Sequence, residues 1–199
     1  MPRMGLDFKT VVAAAAALAD EKGIDGISLG ELAQRLNVRT PSLYNHVESL
    51  EALKQSLAIY GLNQLYEQLQ KRADGLVGDA AVYAMGDAYV SFARNHPGLY
   101  DATFRAPIPN DQQLHFAQHQ VVELVGEQLR AYDLKGDKAL HMIRGFRSIL
   151  HGFASIESSG GFGLPLDLDV SFKMLVDTFL AGVHAQIREQ ANEKSEEIF

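Results

Sequence analysis

The residues best equipped for chemistry sit in one short stretch, 32-LAQRLNVRTPSLYNHV-47. Arg39, Thr40, Ser42, Tyr44, Asn45 and His46 all carry hydrogen-bonding groups, and the two apolar residues among them, Leu43 and Val47, are four apart. On a helix that spacing puts Leu43 and Val47 on one face. Such a segment is held from behind and presents polar groups forward. The chemistry this suits is non-covalent recognition: Asn and Ser can read base edges, Arg is the common guanine reader, and Tyr, His and Thr suit phosphate oxygens. By spacing alone, an ordinary helical hairpin with a polar solvent face fits as well.

No other stretch carries a reactive constellation. His115 and His119 are four apart in HFAQH, a spacing able to bind metal, but the Glu of a zinc-hydrolase helix is missing. Solvent-facing or pocket-lining histidines are the plainer reading, and no metal or cofactor is expected. Ser158-Ser159-Gly160-Gly161 follows a helical pattern rather than a strand, so it is no phosphate loop. Nothing resembles a nucleophile elbow or a dinucleotide fingerprint, and an enzyme is not expected.

Composition narrows the classes further. The chain has 199 residues, 47% of them hydrophobic, and no Cys. That supports a sizeable core and excludes a disulfide framework or a thiolate metal site; a reducing, cytoplasmic setting is expected. No apolar run reaches the roughly 18 residues of a membrane span. The run VVAAAAALA at 11–19 imitates a signal peptide, but Asp7 spoils the basic leader and helix-forming sequence continues through Asp20 and Lys22. Residues 1–56 carry six Lys/Arg against seven Asp/Glu, net −1, and the rest twelve against eighteen, net −6. This is not the footprint of a non-specific nucleic-acid coater, although a small DNA-binding surface needs only local charge.

The elements that must position the polar stretch are helical nearly throughout. Asp7 caps a first helix that Gly23 ends, and Ser28-x-x-Glu31 is a capping box opening a second through Leu36. Asn37 falls in a tight turn, where a left-handed backbone favours Gly or Asn. Leu29, Leu32, Ala33 and Leu36 face inward, with Ala33 small enough for a close crossing, and Val38 plugs the underside. Thr40-Pro41 reads as an N-cap followed by proline in the first turn. Ser49 caps a fourth helix reaching about Ala73. Further helices are expected over about 79–95, 111–132, 137–158 and 169–193. His96-Pro97-Gly98 reads as a break, and 106–111 and 158–167 read as loops. The spacing of 29–47 fits a helix-turn-helix, whose second helix enters the DNA major groove with its N-terminal residues at base edges.

The run from Thr10 to Leu57 resembles the N-terminal domain of the tetracycline-repressor (TetR) family of bacterial transcription regulators. The matching parts are 12-VAAAAALADEKGIDGISLGELAQRLNV-38 and 40-TPSLYNHVESLEAL-53, with the glycine-hinged joint at Gly23 to Ser28 and a Leu-Tyr-x-His-hydrophobic signature. The resemblance implies an all-α fold. An N-terminal three-helix DNA-binding domain, 1–49, would be joined by a long helix, 50–73, to a helical ligand-binding and dimerisation domain, 50–199. It implies Arg39, Thr40, Ser42 and Asn45 as base or groove readers and Tyr44 and His46 as phosphate contacts, with Ser28 and Pro41 at the same surface. Members often carry a phosphate-clamping Lys near the start of the fourth helix; that position is Leu50 here, and Lys54, one turn later, is the substitute. The implied partners are a palindromic double-stranded DNA operator, a small-molecule effector and a second copy of the chain, with no membrane.

Residues 144–183 resemble a C-terminal subgroup with a Trp-His-Gly signature, read here as Leu150-His151-Gly152. Apolar stripes run through Ile143, Phe146, Ile149, Leu150, Phe153 and Ile156, then Phe172, Leu175, Val176, Phe179, Val183 and Ile187, with small residues at Gly145, Gly152, Ala181 and Gly182. The family pairs two such helices with their twins, which makes Ile149, Phe153, Ile156, Phe172, Val176, Phe179 and Val183 dimer candidates; a core within one chain would give the same stripes. Pocket candidates are Tyr89, Phe92, His96, Phe104, Phe116, His119, Met142 and Phe146, each of which also suits a plain core. Their aromatic mixture points to an apolar or aromatic effector. The reading is a ligand-responsive repressor; the alternative is a helical small-molecule carrier or partner-binding protein that has lost DNA binding.

Overall fold

The computed structural model describes residues 6–104, 111–134 and 137–196, with side chains to residue 192. Among them there are α-helices and one 3-10 turn, and no strand. The chain divides into two compact units: Met1–Tyr66 with Phe92–His119, and Glu67–Ser91 with Gln120–Phe199.

The first unit begins with α1 (Phe8–Lys22), whose first turn is closed by Asp7 accepting from the Thr10 amide at 2.7 Å. That bond holds the Asp7 carboxyl below its ordinary pKa. Gly23, at φ 78°, ends the helix in a backbone region that side chains resist. Ile24 and Ile27 are buried and lead to α2 (Leu29–Arg35). Ser28 caps it, accepting from the Glu31 amide at 3.3 Å, while the Glu31 carboxylate takes the Ser28 hydroxyl at 3.2 Å. Asn37 has φ 53°, the left-handed turn expected of it. The Val38 amide donates back to the Ala33 carbonyl at 2.9 Å, which locks the reversal.

The third helix, α3, spans Thr40–Leu43, with turns continuing to His46. Here the sequence expectation is corrected. Arg39, not Thr40, is the N-cap, and no side chain caps the turn. The Arg39 carbonyl accepts from the Ser42 amide at 2.8 Å, so backbone alone closes it, and Pro41 still sits in the first turn where its missing N–H costs nothing. Ser49 then caps α4 (Leu50–Ala73) through the Ala52 amide at 3.1 Å.

A second correction concerns His96-Pro97-Gly98. The break is real, with His96 at φ −133° and ψ 59°, but Pro97 opens a further helix. With α5 (Asp79–Asn95) before it, this short α6 spans Pro97–Ala102. Proline suits a first turn as well as it ends a helix. Gly98 lies against α1: a Cβ there would meet the Ala19 carbonyl oxygen at 1.9 Å. The next helix, α7 (Gln112–Leu129), is capped by Asp111, which accepts from the amides of Gln113 and Leu114 at 3.0 Å. The loop expected at 106–111 lies, Asp111 apart, outside the described residues.

The second unit holds the first part of α5, the end of α7 with a 3-10 turn at Arg130–Tyr132, α8 (Asp137–Ser158) and α9 (Leu168–Glu196). Its core is aromatic. Phe146 stacks on Phe179 and Phe153 tilts against Phe172, each pair with centroids 5.1 Å apart. Gly86 makes room for the Phe172 ring, whose tip lies 3.2 Å from where a Cβ would stand. Asp79, at the start of α5, accepts from the Tyr132 hydroxyl at 2.6 Å and lies 3.0 Å from the His184 ring nitrogen.

Candidate nucleic-acid interface

Leu43 and Val47 are 0% and 5% exposed, whereas Tyr44, between them in sequence, is 56% exposed. Burial of each apolar side chain contributes about 1.5–3 kcal/mol, enough to set which way this short segment faces. Arg39, Pro41 and Asn45 are exposed with Tyr44; Thr40, Ser42 and His46 are half-buried. The segment therefore offers hydrogen-bonding groups outward from a rigid apolar seat.

Two proposed members of the set are otherwise engaged. The Ser28 hydroxyl is held in its exchange with Glu31. The Lys54 ammonium lies 3.3 Å from Asp25 and 3.7 Å from Glu51, with only 13% of its side chain exposed. Neighbouring cations are held alike. Arg35 makes a bidentate pair with Glu21 at 2.7 and 2.8 Å, and Lys22 pairs with Glu31. These bonds hold the Glu21 and Glu31 carboxyls below their ordinary pKa and push the Arg35 guanidinium up. Among the described cations of residues 6–56, Lys22, Arg35 and Lys54 thus face carboxylates, and Arg39 is the one within the outward-facing segment 39–46.

The first unit also contains a cavity of about 160 Å³ where α1, α4, α5 and α6 meet. Phe92 and His96, two of the pocket candidates chosen for residue type and position, line it. Sequence reasoning missed Asp20, which lines it too and accepts from the Leu99 amide and the His96 ring at 2.9 Å each. The signal available was the alanine run of α1, whose short side chains leave space beside the helix. Of the other pocket candidates, Tyr89 and Phe146 are core residues of the second unit, and Met142 and Phe104 are half-buried. Phe116 is 64% exposed and His119 is exposed. No cluster of three metal-binding side chains occurs among the described residues.

The dimer candidates divide as well. Phe153, Phe172, Val176 and Val183 are buried in the chain's own core, the alternative that their spacing left open; Ile149 and Phe179 are half-buried and Ile156 is exposed. His151 is half-buried, and its pKa is pushed down by burial and by the Arg147 charge.

Comparison with known proteins decides the lineage. A family model described as bacterial regulatory proteins, tetR family, matches residues 11–56, and one described as tetracyclin repressor-like, C-terminal domain, matches residues 82–179. YobS of Bacillus subtilis (strain 168), an uncharacterized HTH-type transcriptional regulator, is 38% identical over 183 residues, 92% of this chain and 95% of that protein. The chain belongs to the TetR family. It is a helix-turn-helix transcriptional regulator by that membership, from a family of regulators rather than enzymes. A structure of a protein of unknown function from Rhodococcus sp. RHA1 superposes with a TM-score of 0.77 at 26% identity, covering 92% of this chain and 98% of that one. A TetR variant from Acinetobacter baumannii AYE, in complex with minocycline, shares the fold with a TM-score of 0.66 at 20% identity, covering 92% and 98%. The match to the N-terminal TetR family takes in the helix-turn-helix, α2 and α3, and most of α1. No helix among the described residues is long and apolar enough to cross a membrane.

Proposed function

We propose that this TetR-family regulator is a cytoplasmic homodimeric repressor, released from a palindromic operator by a small apolar or aromatic effector. The observation that carries the reading is the outward set Arg39, Tyr44 and Asn45 above the buried Leu43 and Val47. In this reading residues 1–49 hold the DNA, 50–199 bind effector and second copy, and the connecting helix 50–73 is the lever. A ligand that prefers the conformer with wrongly spaced recognition segments weakens DNA binding by the same coupling energy. The effector half is supported by the minocycline bound to a protein of the same fold. The dimer half is supported by exposed Ile156 and Met174 on α8 and α9, and by Gly152 and Gly182, where an added Cβ would meet nothing within 4 Å. The partial match at Leu150-His151-Gly152 supports the Trp-His-Gly subgroup.

Selection of bound duplexes from a random pool tests this. The expected outcome is a palindrome, with half-sites spaced by whole helical turns. Tyr44→Ala and His46→Ala should each lower operator affinity about tenfold or more, with helicity and dimer mass unchanged. Survival of affinity in both variants would remove them as phosphate contacts. One observation favours a second reading, a carrier or partner-binding protein without DNA binding. The pairing of Lys22, Arg35 and Lys54 with carboxylates, together with Leu50 at the clamp position, leaves the surface weakly positive. No enrichment of any duplex at low salt would select that reading.

A further inference from the structure

The cavity of the first unit has features that a packing defect lacks. At about 160 Å³ it is of the size that takes a single aromatic ring, since a closed apolar cavity of about 150 Å³ holds benzene. Ala13, Ala16 and Ala17 form its α1 wall; Ala16 is buried, while Ala13 and Ala17 are exposed and mark the mouth. Tyr60 from α4, half-buried, supplies aromatic surface, while Phe92 from α5 borders the cavity as a fully buried residue. Asp20 supplies the one carboxylate among the lining residues.

That carboxylate is already part of a clasp. Its Oδ1 accepts from the Leu99 amide and its Oδ2 faces the His96 Nδ1, both at 2.9 Å, so it ties α1 to the start of α6 across more than 70 residues of sequence. Each carboxylate oxygen offers two acceptor sites, so Asp20 can take a further donor. A cation is the donor that gains most beside a carboxylate, and an aromatic wall favours it again. An anion would meet Asp20 and a chain of net charge −7.

We propose that this cavity is a binding site for a small aromatic ammonium, its ring against Tyr60 and the alanines of α1 and its ammonium on Asp20, where it competes with His96 and loosens α6 from α1. The site takes its α1 wall and Asp20 from residues 1–49 and the rest of its lining from 50–199, so it would extend effector binding across that boundary. It names the effector class of the repressor reading, and the release of DNA rests on that reading; the binding itself does not.

Benzylamine is the probe, with benzyl alcohol as its neutral match and benzoate as its anionic one. Titration of the full-length protein is followed by calorimetry and by amide resonances. Benzylamine should bind saturably with a Kd of about 1 mM or tighter, and the controls should bind at least about tenfold more weakly. The Leu99 amide, which donates to Asp20, should shift with the same midpoint. Asp20→Asn should weaken binding about tenfold or more. Ala17→Leu, a change at an exposed helix position that fills the mouth, should abolish it with helicity retained, which guards against a misfolded Asp20 variant. Equal binding by benzyl alcohol, retained binding in Ala17→Leu, or no saturation at about 10 mM would overturn the site. A selected duplex that keeps its affinity at saturating benzylamine would overturn the loosening. Failure to select any duplex would sink the repressor reading and leave the calorimetric outcome standing.

Discussion

Two aspartate–histidine contacts join distant parts of the chain, and they differ in what surrounds them. Asp20 faces His96 with 19% of its side chain exposed, beside a cavity, and it also holds a backbone amide. Asp79 faces His184 with 47% of its side chain exposed, and its other donor is the Tyr132 hydroxyl. In the first the aspartate completes the hydrogen bonding of a helix start, backed by Gly98 pressed onto α1. In the second both donors are side chains, the part-exposed His184 ring and the hydroxyl of the buried Tyr132. The same residue pair is thus a structural clasp in one place and a surface latch in the other. Backbone involvement and burial, not the identity of the partners, decide the difference.

The sharpest way to break this contrast is at Gly98. A Cβ there would lie 1.9 Å from the Ala19 carbonyl oxygen, and backbone on both sides must move. Gly98→Ala should cost about 3 kcal/mol of stability in urea unfolding. A loss under about 0.5 kcal/mol would mean that the α1–α6 contact yields freely. Next comes Asp20→Ala, which strands the Leu99 amide and the His96 ring. It should cost about 2 kcal/mol in the same unfolding measurement, the range for leaving a largely buried donor without its acceptor.

The smallest effect belongs to Asp79→Asn. The Tyr132 hydroxyl first, then His184, holds the Asp79 carboxyl below its ordinary pKa, and burial first, then the same bond, pushes the Tyr132 hydroxyl well up. A carboxyl depressed in the folded state adds stability that is present above its unfolded pKa of about 3.9 and lost as pH falls through the folded value. Solvent screening limits that contribution to about 1 kcal/mol or less. The variant should therefore melt slightly lower at neutral pH and converge with the parent protein as the pH falls through the lowered pKa of the folded Asp79 carboxyl. A difference that persists in acid would assign Asp79 a packing role instead.

Local features of the fold are legible because each depends on neighbours in sequence. Asp7, Ser28 and Ser49 cap the helices whose starts they mark, Asn37 takes the left-handed turn, and Leu43 and Val47 are buried as their spacing requires. The α6 helix is not legible, since a proline marks a helix end and a helix start with the same residue. Nor is the Asp20 clasp: His96 stands out as a polar aromatic, but its partner lies 76 residues away. The stripes of α8 and α9 show that Phe153, Phe172, Val176 and Val183 must be covered, and say nothing of whether the cover comes from the same chain.

The carboxylate partners of Lys22, Arg35 and Lys54 bear on how such a regulator would travel. A cation that already faces a carboxylate displaces few condensed counterions from a duplex, and each displaced ion steepens the fall of affinity with ionic strength by close to one logarithmic unit. With three of its cations so neutralised, this domain would hold random sequence weakly and leave it quickly. Its search would run through repeated encounters from bulk solution more than through one-dimensional diffusion along the helix, and its occupancy would depend little on the osmotic history of the cell.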